Sequence, residues 1–344
     1  MQSRVSLGVV GAGYWGQKLL PKFLATSKVL VRSVCDIHAG NRETINKIFP
    51  DVVSVDDYET LLSDSQLQAI VIATPPASHY ALARRALLAG KHVWIEKPLA
   101  LRVDEGRELV NLANEKRLAL FVDHTFLYDP AVRKIRELVA NNELGNIHHL
   151  FLQRLNLGRI KRDSNVWWNS GPHDISLVVY LLGGCPKTIA LHGYRYLQSN
   201  LEDLNMAVLE MAEGASAFIY HNWLYPENTA KLTIVGDKRL LMYEGKFDKR
   251  CVRVFEYSLD RAGEERLPAS ELPTTIPSKM IAEHRLEGIY DQEPLALAVD
   301  DFLASIQDGH APISDGKFSL QVLTVLQAGE QSLRNGGSKV SVRY

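Results

Sequence analysis

At 344 residues the chain is long for one domain and sufficient for two, each able to bury a core without disulfides or metal. Apolar residues make up 46% and charged residues 23%, and the formal net charge of −1 gives no bias toward nucleic acid or an anionic membrane. Cys35, Cys185 and Cys251 are scattered without CxxC spacing, which argues against a disulfide framework or zinc site and suits a reducing, cytoplasmic setting.

Val5 to Val10 is a near-continuous apolar run, as expected of a strand covered on both faces. Gly11-Ala12-Gly13 interrupts it too early for a signal peptide, and no stretch approaches the length of a membrane span. Trp15, Leu19, Leu20, Phe23 and Leu24 then recur at helical spacing, with Pro21 predicting a kink or a shortened helix. Val29 to Cys35 reads as a second strand and Ala69 to Ala73 as a third, which stops at Thr74-Pro75-Pro76. A helix carrying Leu82, Ala86 and Leu87 closes at Gly90, and the strand Val93-Trp94-Ile95 ends at Glu96-Lys97-Pro98. A helix over Val103 to Lys116 and a strand over Ala119 to Val122 follow. This alternation predicts a parallel sheet, an N-terminal Rossmann α/β domain over residues 1–124.

After about Thr125 the pattern changes. One amphipathic helix, Ala131 to Val139, precedes strand-like runs at Ile147–Leu155, Thr188–Tyr194, Met206–Met211, Ser216–His221, Leu232–Val235, Arg239–Tyr243 and Val252–Tyr257. Such a succession predicts an α+β domain over 125–344 with a large open, mainly antiparallel sheet that holds substrate and supports oligomerisation. An irregular Pro-rich stretch lies between Leu267 and Pro277, and Leu295–Ile306 and Leu320–Leu333 close the chain as helices.

Gly11-Ala12-Gly13-Tyr14-Trp15-Gly16 is G-x-G-x-x-G between a strand and a helix, which lets backbone approach a pyrophosphate at a helix N-terminus. Asp36, twenty residues beyond Gly16, ends the second strand, where a carboxylate accepts hydrogen bonds from an adenosine ribose. It would repel a 2′-phosphate and Ile37-His38 supply no arginine, so NAD is favoured over NADP. Thr74, Pro75, Glu96 and Lys97 lie beyond strand carboxyl ends, the usual ligand crevice of such sheets. A partly desolvated Lys97 near a cationic nicotinamide would lose its proton readily and exchange one with a substrate hydroxyl or ketone; spacing alone equally allows a surface lysine. Arg154, Arg159, Lys161 and Arg162 suit a phosphate or carboxylate, or form a solvated basic loop. Trp167 and Trp168 read as core or interface anchors, with Trp168 a secondary candidate for substrate contact. The histidines show no metal-ligand spacing with carboxylates, so no metal is expected.

Glu96-Lys97-Pro98 after a Rossmann half, with His124-Thr125 and Glu293-Pro294-Leu295, resembles the Gfo/Idh/MocA oxidoreductases over essentially the whole chain. Asn156-Leu157-Gly158 and the run from Asn165-Val166-Trp167-Trp168 to Gly171-Pro172-His173-Asp174 are most similar to the branch acting on nucleotide-linked sugars, such as UDP-N-acetylglucosaminuronate 3-dehydrogenases. The resemblance implies that Glu96 and Lys97 meet the nicotinamide ribose, that Lys97 also contacts substrate, that the bond before Pro98 is cis and that His79 lies near the cofactor. It further implies a homodimer or homotetramer. Pro172 suits the first position of a helix, which would put His173 in the first turn, where the dipole disfavours imidazolium. A neutral imidazole there can hold a substrate hydroxyl or take its proton.

The common family pattern has an aspartate four residues before that histidine, and this chain has Asn169. An amide exchanges no proton at useful pH, so Asn169 is expected to orient substrate, together with Asp174, Trp168 and Arg154. The expected activity is hydride transfer between NAD and a secondary alcohol or ketone of a sugar, catalysed by Lys97 and His173. A redox-neutral NAD-using sugar enzyme (epimerisation or elimination) and a non-catalytic NAD or sugar sensor are the alternatives.

Overall fold

The structure, a computed structural model, describes residues 4–158, 160–245, 250–259 and 278–344. The stretch between Leu267 and Pro277, and Arg159, lie outside the described residues. β1 (Val5–Val10), β2 (Val29–Cys35), β3 (Val53–Val55), β4 (Ala69–Ile72), β5 (His92–Glu96) and β6 (Leu120–Asp123) form one all-parallel sheet in the order β3-β2-β1-β4-β5-β6. That order reverses direction between β1 and β4, which opens a crevice at the strands' carboxyl ends. α1 (Gly16–Leu24), α2 (Ala39–Ile48), α3 (Tyr58–Ser63), α4 (His79–Leu88) and α5 (Val103–Lys116) cover its faces. Pro21 lies inside α1, a short helix of nine residues that continues through it to Leu24.

α6 (Pro130–Ala140) leads into β7 (Ile147–Leu157) and α7 (Val166–Leu182). Then come β8 (Thr188–Tyr194), β9 (Leu204–Glu210), β10 (Ser216–Asn222), β11 (Leu224–Gly236), β12 (Arg239–Glu244), β13 (Cys251–Leu259) and β14 (Ser278–Arg285). α8 (Pro294–Asp308), α9 (Gly316–Arg334) and β15 (Val340–Ser341) end the chain. These strands make a nine-stranded sheet, β14-β13-β12-β11-β7-β10-β9-β8-β15, antiparallel except for the β7/β10 pair. Inner residues such as Leu150, Leu152, Ile219 and Leu232 are buried under the helices, while Met206, Val208 and Phe218 of the opposite face are exposed.

The expected start of the helix at Pro172 is corrected by the structure. α7 begins at Val166, where the Asn165 side chain accepts the Trp168 N–H at 3.1 Å, and Pro172 sits in its interior. A side-chain cap backed by burial of Val166 and Trp167 outweighs the one intrahelical bond that a proline removes. His173 is therefore mid-helix, not in the first turn. The C-terminal end matches expectation, with Gly183 at φ 70°.

Two contacts dock the layers. Trp94 of β5 stacks on Phe121 of β6 with ring centroids 4.1 Å apart, and Phe302 of α8 meets Trp94 edge-on at 5.6 Å. Trp167 of α7 donates its indole N–H to the Leu326 carbonyl of α9 at 2.9 Å. Among the described residues no helix is long and apolar enough to cross a membrane.

Gly329 of α9 gives this docking a measurable consequence. A Cβ there would stand 2.6 Å from the Trp167 ring. Gly→Ala inside a helix normally stabilises by up to about 1 kcal/mol. Gly329→Ala is instead expected to destabilise by about 1–3 kcal/mol through overpacking, read as a lower urea midpoint at unchanged slope.

Candidate active site

One crevice of about 1810 Å³ runs from the glycine turn after β1, past the ends of β4 and β5, to α7 and the edge of the second sheet. Single small-ligand sites occupy about 300–1,000 Å³, so the space suits a dinucleotide together with a second ligand. Gly13, Tyr14, Trp15, Thr74 and Pro75 line its first part, Glu96 and Lys97 its middle, and Arg154, Trp168, Asn169 and His173 its far part.

The glycine turn fits a dinucleotide. Gly11 has φ +93°, and an added Cβ would lie 2.8 Å from the Ala73 backbone, while one on Gly16 would overlap the Gly11 carbonyl. Beside Gly13 an added Cβ meets nothing within 4 Å, so there the turn opens its backbone to the crevice. Asp36 is buried behind this turn and does not line the crevice. Its carboxylate accepts the Ala12 N–H at 2.7 Å, the His38 N–H at 2.8 Å and the Asn41 amide at 3.0 Å, fastening the turn to the end of β2. His79 is likewise buried, its ring nitrogens 2.8 Å from the Pro98 carbonyl and 2.9 Å from the Thr74 carbonyl. Burial holds its pKa down, so the neutral ring donates to one of the two and ties the β4 and β5 loops together. The Lys97–Pro98 bond is cis.

Lys97 Nζ donates to the backbone carbonyl of Asn169 at 2.8 Å. Burial pushes its pKa down to about 8 against the attraction of Glu96, and the charges of Arg154 and Lys161 push the same way as burial. The Asn169 amide contacts Ser170 Oγ at 3.4 Å, and Lys97 reaches the Asn169 backbone rather than this side chain, which stands in the place of the family's carboxylate. His173 meets Phe126 edge-on at 5.1 Å, and its Nδ1 is buried without a hydrogen-bond partner among the described residues. Burial, then the charges of Lys97 and Arg154, hold its pKa well below the usual histidine value. The imidazole is thus neutral, as its helix position was expected to make it, but burial and neighbouring cations are the cause.

Asp174 does not line the crevice. It is buried beneath the crevice, bonded to Arg154 Nη2 at 2.7 Å and to His221 Nε2 at 2.8 Å. Burial alone would raise its pKa, but the Arg154 charge and the His221 bond outweigh this and hold it at about 2. Its role is to fix Arg154, whose guanidinium lies 4.6 Å from the Phe126 ring centroid. Trp168 is half-buried and donates to Glu330 at 3.1 Å. Lys161 lines the crevice, whereas Arg162 does not.

Sequence reasoning missed a carboxyl pair. Glu96 and Asp123 are register partners at the ends of β5 and β6, both buried and hydrogen-bonded to each other. Burial and the Asp123 charge raise Glu96 well above the usual carboxylate range, and burial pushes Asp123 up to about 6. Two touching carboxyls hold one proton between them, which leaves a single negative charge beside Lys97. Glu96 also lines the crevice, so its carboxyl can serve a ribose hydroxyl there. Asp123 had a signal: like Asp36 and Glu96, it is an acid at a strand's carboxyl end. Among the described residues no group of three or more His, Cys, Asp or Glu side chains is arranged to hold a metal.

Comparison with known proteins agrees with this geometry. Residues 5–124 match the family described as "Oxidoreductase family, NAD-binding Rossmann fold", and residues 132–241 match the "GFO/IDH/MocA C-terminal domain". The uncharacterized oxidoreductase sll0816 of Synechocystis sp. is 27% identical over 245 residues, which cover 68% of this chain and 63% of that protein. Two solved structures share the fold: GenD2 from gentamicin A biosynthesis in complex with NAD, and the WlbA dehydrogenase from Bordetella pertussis in complex with NADH and UDP-GlcNAcA. The first has TM-score 0.82 and 20% identity over 100% of this chain and 98% of that one. The second has TM-score 0.81 and 19% identity over 100% and 99%. The chain belongs to the Gfo/Idh/MocA family of NAD-binding oxidoreductases.

Proposed function

We propose that this protein oxidises a secondary alcohol of a sugar, or reduces the corresponding ketone, and that the sugar is nucleotide-linked. The observation that carries the reading is Lys97: a lysine brought to about 8, bonded to the Asn169 carbonyl between a shared-proton carboxyl pair and a neutral histidine. Bound NAD(H) supplies the hydride acceptor or donor. Gly13, Tyr14, Trp15, Thr74, Pro75, Glu96 and Lys97 would hold it. Lys97 takes the hydroxyl proton at Nζ during oxidation and returns it during reduction. His173 positions the hydroxyl through a neutral ring nitrogen, and Arg154 faces the distal part of the substrate. The nucleotide-linked substrate class rests on Asn156-Leu157-Gly158, Lys161 and the likeness to WlbA.

Oxidation requires the free amine, so its rate should rise with pH through about 8, whereas reduction requires the ammonium and should fall above it. Lys97→Met should abolish hydride transfer and leave NAD affinity within about tenfold, since one lost polar contact is worth about 1.4 kcal/mol. Asn169→Asp places a carboxylate beside the lysine and should move the limb up by about one pH unit. Single-turnover rates across pH decide between outcomes. A normal rate in Lys97→Met refutes the mechanism. Reduced nicotinamide that forms and decays without net release points to a redox-neutral reaction, and none with any sugar points to a sensor.

Asp36 bears on cofactor choice. Its buried negative charge behind the turn disfavours a 2′-phosphate by repulsion through space, so NAD(H) should bind tighter than NADP(H), and Asp36→Ala should narrow that gap. The variant also frees the Ala12 N–H and should weaken both cofactors. Calorimetry showing tighter NADP(H) binding by the unmodified protein refutes the preference.

The exposed face of the second sheet supports self-association into a dimer or tetramer. Phe218 pairs with Val208 in register, and Met206 is exposed on the same face. Phe218→Glu should lower the mass seen by light scattering at micromolar concentration; a monomeric parent protein refutes the assignment.

A further inference from the structure

Four adjacent strands carry one residue each in a single row beside the crevice. Arg154 of β7 faces Ala230 of β11 in register. The Ala230 carbonyl accepts the Gly245 N–H at 2.8 Å just beyond β12, and the Glu244↔Cys251 pairing makes Gly245 and Arg250 the next step outward. All four positions continue the sheet's inner face, since Leu152, Leu232, Tyr243 and Val252, each two residues inward, are buried. The row therefore reads large, small, small, large. Its outer members are about 14 Å apart between Cα atoms, three interstrand spacings, a span that two long side chains can bridge from both ends.

Both guanidiniums are held from behind. Asp174 takes Arg154 Nη2 at 2.7 Å, and Asp129 lies 3.4 Å from Arg250 Nη1 while also accepting the Tyr243 hydroxyl at 2.8 Å. Arg250 Nη2 donates to the Tyr290 carbonyl, and Nη1 is buried without a hydrogen-bond partner among the described residues. Each buried carboxylate is thus committed to its own arginine. Arg154, Gly245 and Arg250 all line the crevice beyond His173.

We propose that Arg154 and Arg250 form a two-arginine clamp for an anionic group, carboxylate or phosphate, carried by the substrate, and that Ala230 and Gly245 leave the slot in which it sits. With Nε and Nη2 of Arg154 on Asp174 and Nη2 of Arg250 on Tyr290, the two Nη1 groups are left to donate, and charged N–H donors from opposite sides suit either oxyanion. The clamp rests on the dehydrogenase reading for its location relative to the reacting carbon, but it is tested by binding rather than turnover.

The test uses calorimetry of NADH-loaded protein with three probes: D-glucuronate, D-glucose 1-phosphate and D-glucose. At least one anionic probe should bind tenfold or more tightly than glucose, and the better of the two identifies the oxyanion. Arg250→Gln should erase that preference. Because it also leaves Asp129 without its cation, Ala230→Leu serves as a second variant, filling the slot while keeping every charge. It should weaken the anionic probe at least tenfold with NADH affinity unchanged. Equal affinity for all three probes, no measurable binding of either anion, or an anion preference that survives Ala230→Leu overturns the clamp. An intact anion preference in a protein that transfers hydride with no sugar would overturn the dehydrogenase reading and leave the clamp standing.

Discussion

The bond from Lys97 Nζ to the Asn169 carbonyl spans the molecule's two layers, and the rest of the site is arranged around it. Its donor stands at the end of β5, its acceptor on α7 over the second sheet. Neither half contains the site alone. The position of Asn169 depends on α7, which is keyed to α9 by the buried Trp167 and its bond to Leu326. The position of Lys97 depends on β5, which carries Trp94 into the aromatic cluster with Phe121 and Phe302. Hydrophobic packing far from the crevice therefore sets a distance inside it. A main-chain acceptor also carries no proton of its own, so it orients the ammonium without competing as a base.

Three cations of the crevice each have a buried carboxyl group near them. Lys97 has the Glu96–Asp123 pair, Arg154 has Asp174 and Arg250 has Asp129. Burying an ion without a partner is costly, and a fixed counter-charge on one side removes that cost while leaving the other side available. The arrangement also keeps His124 and His173 neutral, since burial and the Lys97 charge both act against a second cation.

Elements were legible where their apolar pattern was long enough to see. The parallel core strands, α5 and the two C-terminal helices lie close to their expected limits. α2 buries only Ile45 and so has almost no periodicity; α3 has six residues and β3 three. β14 is an edge strand, nearly all exposed, with no alternation to betray it. Pro172 misled because a proline is a local signal for a helix start, whereas Asn165 starts α7 with a side-chain cap and buried neighbours.

The sequence by itself determined the chemical inventory: a glycine turn between strand and helix, acids and a lysine at strand ends, a histidine on a helix and an amide in place of the usual carboxylate. Each is a local pattern, so each survives reading one residue at a time. Tertiary structure alone decided which groups face the ligand and which stand behind them. Asp36, His79 and Asp174 turned inward as fasteners; Arg250, far from Arg154 in the chain, lies in one row with it across four strands. Strand register and burial make those choices, and both depend on partners distant in sequence.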